Sequence, residues 1–171
     1  MFTTLRHASL LAATAVAILV SAGAVFGPSA SPASAYRQLG SLEGTWSRTT
    51  AKGTVVELTY EPISSGSALL EHFSTSTGRK TLTVYHMDDA DLLLTHYCAQ
   101  GNQPRLRYVP GEDSTSLRFT FLDATNLPND SASHMVRLEL HLADSTHLRV
   151  IEVYRTALVD EADTLYYLRK P

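Results

Sequence analysis

The chain of 171 residues holds a single cysteine, Cys98. No disulfide can form within it, so stability has to come from packing, from a closed hydrogen-bond network or from a partner. There is no surplus of basic residues: 14 Lys and Arg stand against 17 Asp and Glu, a formal net charge of -3. A surface that neutralises phosphates needs the opposite balance, which argues against nucleic acid as a partner. No internal repeat occurs, no low-complexity stretch lies beyond the first 35 residues, and no motif of known catalytic chemistry stands out. The reading therefore leans away from an enzyme. With 44% hydrophobic and 18% charged residues, the composition is that of a folded domain. It is neither polar enough for disorder nor apolar enough for a multi-span membrane protein.

The first 35 residues lack acids altogether and contain one Arg, Arg6, and one His, His7. An apolar run over 10–26 is followed by small residues that include Ala33 and Ala35. A positive start, an apolar middle and small side chains at these two positions read as a secretory signal, with cleavage expected between Ala35 and Tyr36. The alternative is an uncleaved anchor, but the run falls short of the roughly 20 residues that span a bilayer comfortably. No Cys follows the run and no Arg-Arg pair precedes it. Lipid anchoring on cysteine and twin-Arg export are thus not indicated, so any metal or haem would be acquired after export of an unfolded chain. The expected organisation is a signal peptide over 1–35 and one secreted or extracytoplasmic domain over 36–171, with no membrane span after cleavage.

Within 36–171 a short lead-in over 36–41 precedes β-type segments near 42–48, 54–62, 67–75, 81–87, 91–99, 104–109, 116–122, 134–143, 147–155 and 163–170. Period-two alternation is plain in Thr81-Leu82-Thr83-Val84-Tyr85-His86, in Ser116-Leu117-Arg118-Phe119-Thr120-Phe121 and in Val136-Arg137-Leu138-Glu139-Leu140-His141-Leu142. A helix would need apolar residues at three- and four-residue spacing, and no convincing amphipathic helix is visible. Ser64-Ser65-Gly66, Asp88-Asp89-Ala90-Asp91 and Pro110-Gly111 carry turn chemistry. The longest link, 123–133, has the length of a flap over an opening. About ten strands joined by short turns predict an all-β, antiparallel up-and-down meander. Closing it into a barrel removes its exposed edges and leaves room for a cavity. A sandwich, the alternative, would be expected to show longer crossovers.

Leu42-Glu43-Gly44-Thr45-Trp46 at the start of the first strand resembles the Gly-x-Trp signature of the lipocalins and the wider calycin group, small ligand-holding barrels. The resemblance implies that Trp46 closes one end of the barrel and that Arg169, from the last strand, packs on its ring through a cation–π contact. The segments Val84-Tyr85-His86-Met87-Asp88 and Thr95-His96-Tyr97-Cys98-Ala99-Gln100-Gly101-Asn102-Gln103-Pro104-Arg105 also look like bacterial lipocalin-like proteins without assigned activity. More distantly, the strand number and early Gly-x-Trp resemble the nitrobindin type, ten-stranded barrels that hold haem on one His. No haem-ligand segment can be matched here.

Several side chains suggest chemistry. If the loops at 64–66 and 89–91 each hold three residues, His72, His86 and His96 lie on one face of successive strands, and three imidazoles with an open position suit a metal ion or a haem iron. A one-residue slip would separate them and leave three unrelated wall residues. His96 and Cys98 stand two apart, but neighbours along a strand present no attacking geometry, and Cys98 reads equally as a small buried residue. Arg105 and Arg107 share a face of a short strand. Turned inward they would fix a ligand carboxylate, and turned outward they would pair with Asp and Glu. Tyr60 is one of several Tyr that would give a cavity wall polar tips. His134 sits at the edge of the long link, either gating an opening or ending a strand. Together these features predict a binding protein that holds a small apolar or amphipathic molecule, using His86, His96, Tyr60, Arg105 and Arg107. The alternatives are a metal- or haem-binding barrel and an interaction module with a filled core.

Overall fold

The computed structural model describes residues 30–111 and 115–171. The apolar run at 10–26 lies outside them, so the expected signal peptide is described only from residue 30 onward. Ten strands follow in chain order: β1 Gly44–Thr49, β2 Val55–Ile63, β3 Ala68–Thr75, β4 Lys80–Asp88, β5 Asp91–Tyr97, β6 Gln103–Val109, β7 Ser116–Thr125, β8 His134–Leu142, β9 His147–Thr156 and β10 Val159–Arg169. Each pairs antiparallel with its neighbours in sequence, and β10 returns to β1, so the sheet is a closed up-and-down barrel. The alternation read from the sequence sorts inside from outside. In β6, Pro104, Leu106 and Tyr108 are buried while Arg105, Arg107 and Val109 are exposed.

Closure is chemical as well as geometric. Trp46 of β1 pairs with Arg169 of β10, and Ser47 with Leu168. The Arg169 guanidinium lies 4.2 Å from the centre of the fully buried Trp46 ring. It also donates to three backbone carbonyls: Ser145 at 2.7 Å, Glu43 at 2.5 Å and Ser41 at 2.7 Å. Trp46 Nε1 donates to the Leu42 carbonyl at 2.8 Å. Gly44 belongs to the same device. Its φ of +111° favours glycine, and a Cβ there would stand 3.3 Å from Arg169 Nη1.

One element departs from the sequence reading. Residues expected as a lead-in form a helix, α1, Pro32–Gly40. Ser31 caps it through Ser34 N–H, Pro32 opens it, and Ser41 ends it with bonds to Gln38 O. Its apolar face is only Ala35 and Leu39, one turn apart, which is too little for a periodic signal. Tertiary contact holds this short helix rather than local propensity. Ala35 and Leu39 are wholly buried in the core with Leu42. Tyr36 Oη donates to Gly66 O at 2.9 Å, and Tyr108 Oη to Ala30 O at 3.1 Å. The helix plugs the Trp46 end. Beneath it the rings of Tyr85, Tyr108 and Phe119 pack edge to face at 5.7 and 5.8 Å. The Ala33 and Ala35 pair expected to mark a cleavage site sits inside this helix.

The second departure is at β10, which begins at Val159 rather than near residue 163 because the β9–β10 turn is only Ala157 and Leu158. Both have positive φ, +53° and +68°. That hairpin geometry suits Asn-Gly and strains residues carrying a Cβ.

Two outcomes are expected. Gly44→Ala and Arg169→Lys should each lower unfolding stability by about 1–3 kcal/mol in urea titrations, the first through strain and collision, the second because an ammonium cannot reach three carbonyls and a ring together. Replacing Ala157-Leu158 with Asn-Gly should instead raise stability by about 1 kcal/mol, seen as a higher midpoint in thermal unfolding.

Candidate functional site

Away from α1, the barrel interior ends in a polar cavity of about 160 Å³. Strand alternation delivers its walls. Glu71 and Phe73 come from β3, His96 from β5, Met135 from β8, Glu152 and Tyr154 from β9, with Arg48 of β1 and Arg79 of the β3–β4 turn beside them. Asp163 and Leu165 of β10 complete the lining. The cavity is amphipathic: Phe73, Met135 and Leu165 are apolar, and the remainder of the lining is charged or hydrogen-bonding.

His96 is buried and fixed on both ring nitrogens, with Nδ1 3.0 Å from Thr83 Oγ1 and Nε2 3.3 Å from Tyr154 Oη. Burial, helped by the positive charge of Arg79, lowers its pKa to about 4 and keeps it neutral. Glu71 is buried and accepts a 2.7 Å bond from Tyr85 Oη. Burial raises its pKa, and that bond works against the rise. Tyr60 faces Glu71 across the β2–β3 ladder, and burial pushes its own hydroxyl well up. Glu152 has no hydrogen bond or ion pair among the described residues. Burial first, then the charge of Glu71, lifts its pKa to about 7, with Arg79 opposing. Near neutrality such a carboxyl either donates or accepts a proton, or pairs with a cation. Tyr154 is pushed upward as well, by burial and then by Glu152 and Cys98.

Of the residues named from the sequence, His96 lines the cavity and Tyr60 lies among the buried residues behind it. The set of three His does not assemble. The β4–β5 turn holds two residues, Asp88 pairing with Asp91, so Thr83 rather than Val84 stands opposite His96. The β2–β3 connection spans 64–67, so His72 faces Thr59 rather than Leu58. Each one-residue shift reverses a face. His72 ends outside, 3.5 Å from Glu61, and His86 lines an outer depression with Val84 and Tyr97. Among the described residues no group of three or more His, Cys, Asp or Glu is placed to hold a metal ion. The cavity is also far smaller than a haem macrocycle. Arg105 and Arg107 point outward: Arg105 forks onto Asp123, and Arg107 lies 3.4 Å from Asp91. Charge on the outer wall is satisfied by neighbouring acids, which removes both from any ligand role inside. His134 is buried, bonded to Ala132 O at 2.7 Å, with its ring tilted 56° against Phe121 at a centroid distance of 5.0 Å.

Tyr154 is one of the Tyr residues expected to give a cavity wall a polar tip, whereas Glu71, Glu152, Arg48 and Arg79 were not anticipated from the sequence. The signal for the two acids was a lone carboxylate on the apolar phase of a strand: Glu71 between Leu69 and Phe73, Glu152 between Val150 and Tyr154. Compared with protein-family models and with curated proteins, the chain matches none.

The cavity makes stability depend on pH in two opposed ways. The native state holds a proton on Glu152 up to about pH 7 that the unfolded chain releases near 4.5, so this group withdraws stability as pH rises through that window. His96 takes its proton only near 4, while the unfolded chain takes one near 6.5, so its contribution grows as pH rises from 4 to 6.5. Glu152→Gln should expose the His96 rise and His96→Gln the Glu152 fall, each on the order of 2–3 kcal/mol between pH 4 and 7 in chemical denaturation. The parent protein should vary less than either variant.

Proposed function

We propose that this protein is an exported binding protein of lipocalin-like type that takes a small amphipathic molecule into the cavity at the mouth of its barrel. The observation that carries this reading is Glu152, a half-buried carboxyl without a hydrogen bond or ion pair among the described residues, lining a cavity that also carries the apolar side chains Phe73, Met135 and Leu165. A group desolvated without a partner is costly to keep in a purely structural interior, and a ligand's polar end would supply the missing partner. The volume of about 160 Å³ suits a molecule, or one end of a molecule, of several heavy atoms rather than a long lipid. Rigid walls on a closed barrel, with one end plugged by α1, favour pre-formed binding over induced fit. The Gly44–Trp46–Arg169 arrangement supports kinship with the lipocalins, and the acid-free, apolar start of the chain supports export.

Native mass spectrometry of protein taken from its own host tests the reading. The expected spectrum shows a polypeptide that retains α1 and carries a small-molecule adduct. Met135→Trp, which fills the void, should abolish the adduct, and Glu152→Gln should weaken rebinding of the released compound about tenfold, near 1.4 kcal/mol. An adduct-free spectrum, or one unchanged by Met135→Trp, would remove the case for a mouth ligand.

A further inference from the structure

The barrel wall is not equally tight all round. β10 pairs with β9 from Val159 to Leu168, and β1 pairs with β2 along its whole length, yet β1 and β10 share only Trp46–Arg169 and Ser47–Leu168. Beyond Ser47 the two strands part, and a groove of about 500 Å³ opens on the outer wall along this seam. Its body is apolar, formed by Leu148, Tyr166, Tyr167 and Leu168. Tyr166 and Leu168 are 68% and 57% exposed, unusual for such side chains on a sheet face. Among the described residues its charge is of one sign: Arg48 and Arg149 line it together with His141 and His147, and no described acid does.

Both guanidiniums are incompletely used. Arg48 Nε and Arg149 Nε are buried and have no hydrogen-bond partner among the described residues. On the outer wall Asp144 is engaged by Thr146 and His147 and Glu57 by Lys170, while Glu152 shares the mouth cavity with Arg48 and makes no hydrogen bond to it among the described residues. Arg48 lies under the seam, 5.5 Å from the Tyr167 ring, while Arg149 pairs across the ladder with Tyr166. Two buried N–H donors on cations beside an exposed apolar trough ask for an acceptor that carries negative charge and an apolar tail.

We infer that the β1–β10 seam is a second binding site, on the outer wall, for an anionic amphiphile: a monocarboxylate whose head meets Arg149 and Arg48 and whose alkyl or aryl body lies along Tyr166 and Leu168. This site is independent of the mouth cavity, although Arg48 borders both. The volume accommodates a chain of about a dozen carbons with its head group.

The test is calorimetric titration of the full chain with dodecanoate below its micelle concentration, alongside dodecanol and dodecyltrimethylammonium. One equivalent of dodecanoate should bind, at least tenfold more tightly than either control, and more weakly as salt is raised. Arg149→Met should reduce dodecanoate affinity about tenfold and leave dodecanol unchanged. Tyr166→Glu, a change at an exposed position, should reduce it at least as much by placing an acid in the trough. Met135→Trp, which fills the mouth cavity, should leave dodecanoate binding intact. Absence of binding, equal affinity for the cationic analogue, indifference to both Arg149→Met and Tyr166→Glu, or loss of binding in Met135→Trp would each overturn the seam site. The last outcome alone would transfer the ligand to the mouth.

Discussion

The guanidinium of Arg169 is the point on which the barrel turns. A sheet of ten strands has two edges until it closes, and an open edge is a template for wrong pairing. Only two residue pairs, extended by a bond from Lys170 N–H to Thr45 O, join the backbones of β1 and β10. Arg169 supplies the remainder, stacking on Trp46 while it reaches three carbonyls from the α1–β1 link and the β8–β9 turn. A planar, permanently charged fork can do this, and a point charge cannot. Gly44 keeps the space free of a Cβ, and Trp46 anchors the link through its indole N–H.

From that closed end the interior changes character along the axis. Near α1 it is filled by leucines and aromatic rings, as a small barrel requires. Toward the other end the same inward positions carry Glu71, His96, Glu152 and Tyr154. Low dielectric then does two things. It keeps His96 neutral and Glu152 partly protonated, and it makes any unpaired group there expensive. A stable core needs none of this, and the concentration of such groups at one end is what the proposed binding site rests on.

Most of the architecture was legible from residue order. Period-two alternation in several segments, with turn residues between the others, located ten strands, the last of them from residue 163 rather than Val159. What alternation could not supply was the register between strands, because that depends on turn length. Asp89-Ala90 closes β4 to β5 with two residues and 64–67 closes β2 to β3 with four, so the expected His cluster came apart. The helix α1 escaped notice because Ala35 and Leu39 form too short an apolar face to give a period. Glu71 and Glu152 were overlooked because adjacent leucines in Leu69-Leu70 and the mixed run Val150-Ile151 blur which phase is interior. His96 was recoverable from its apolar neighbours Leu92 and Leu94, and it alone of the three His faces the cavity.

The pairing of Trp46 with Arg169 joins positions near the two ends of the folded region. The contact that secures the first strand therefore cannot form during translation until nearly the whole chain has been made. Earlier hairpins form locally, but they wait as an incomplete, curling sheet, because closing so long a loop becomes favourable only when the last strand arrives. The native barrel is thus completed late, and until β10 arrives the growing sheet keeps two unpaired edges.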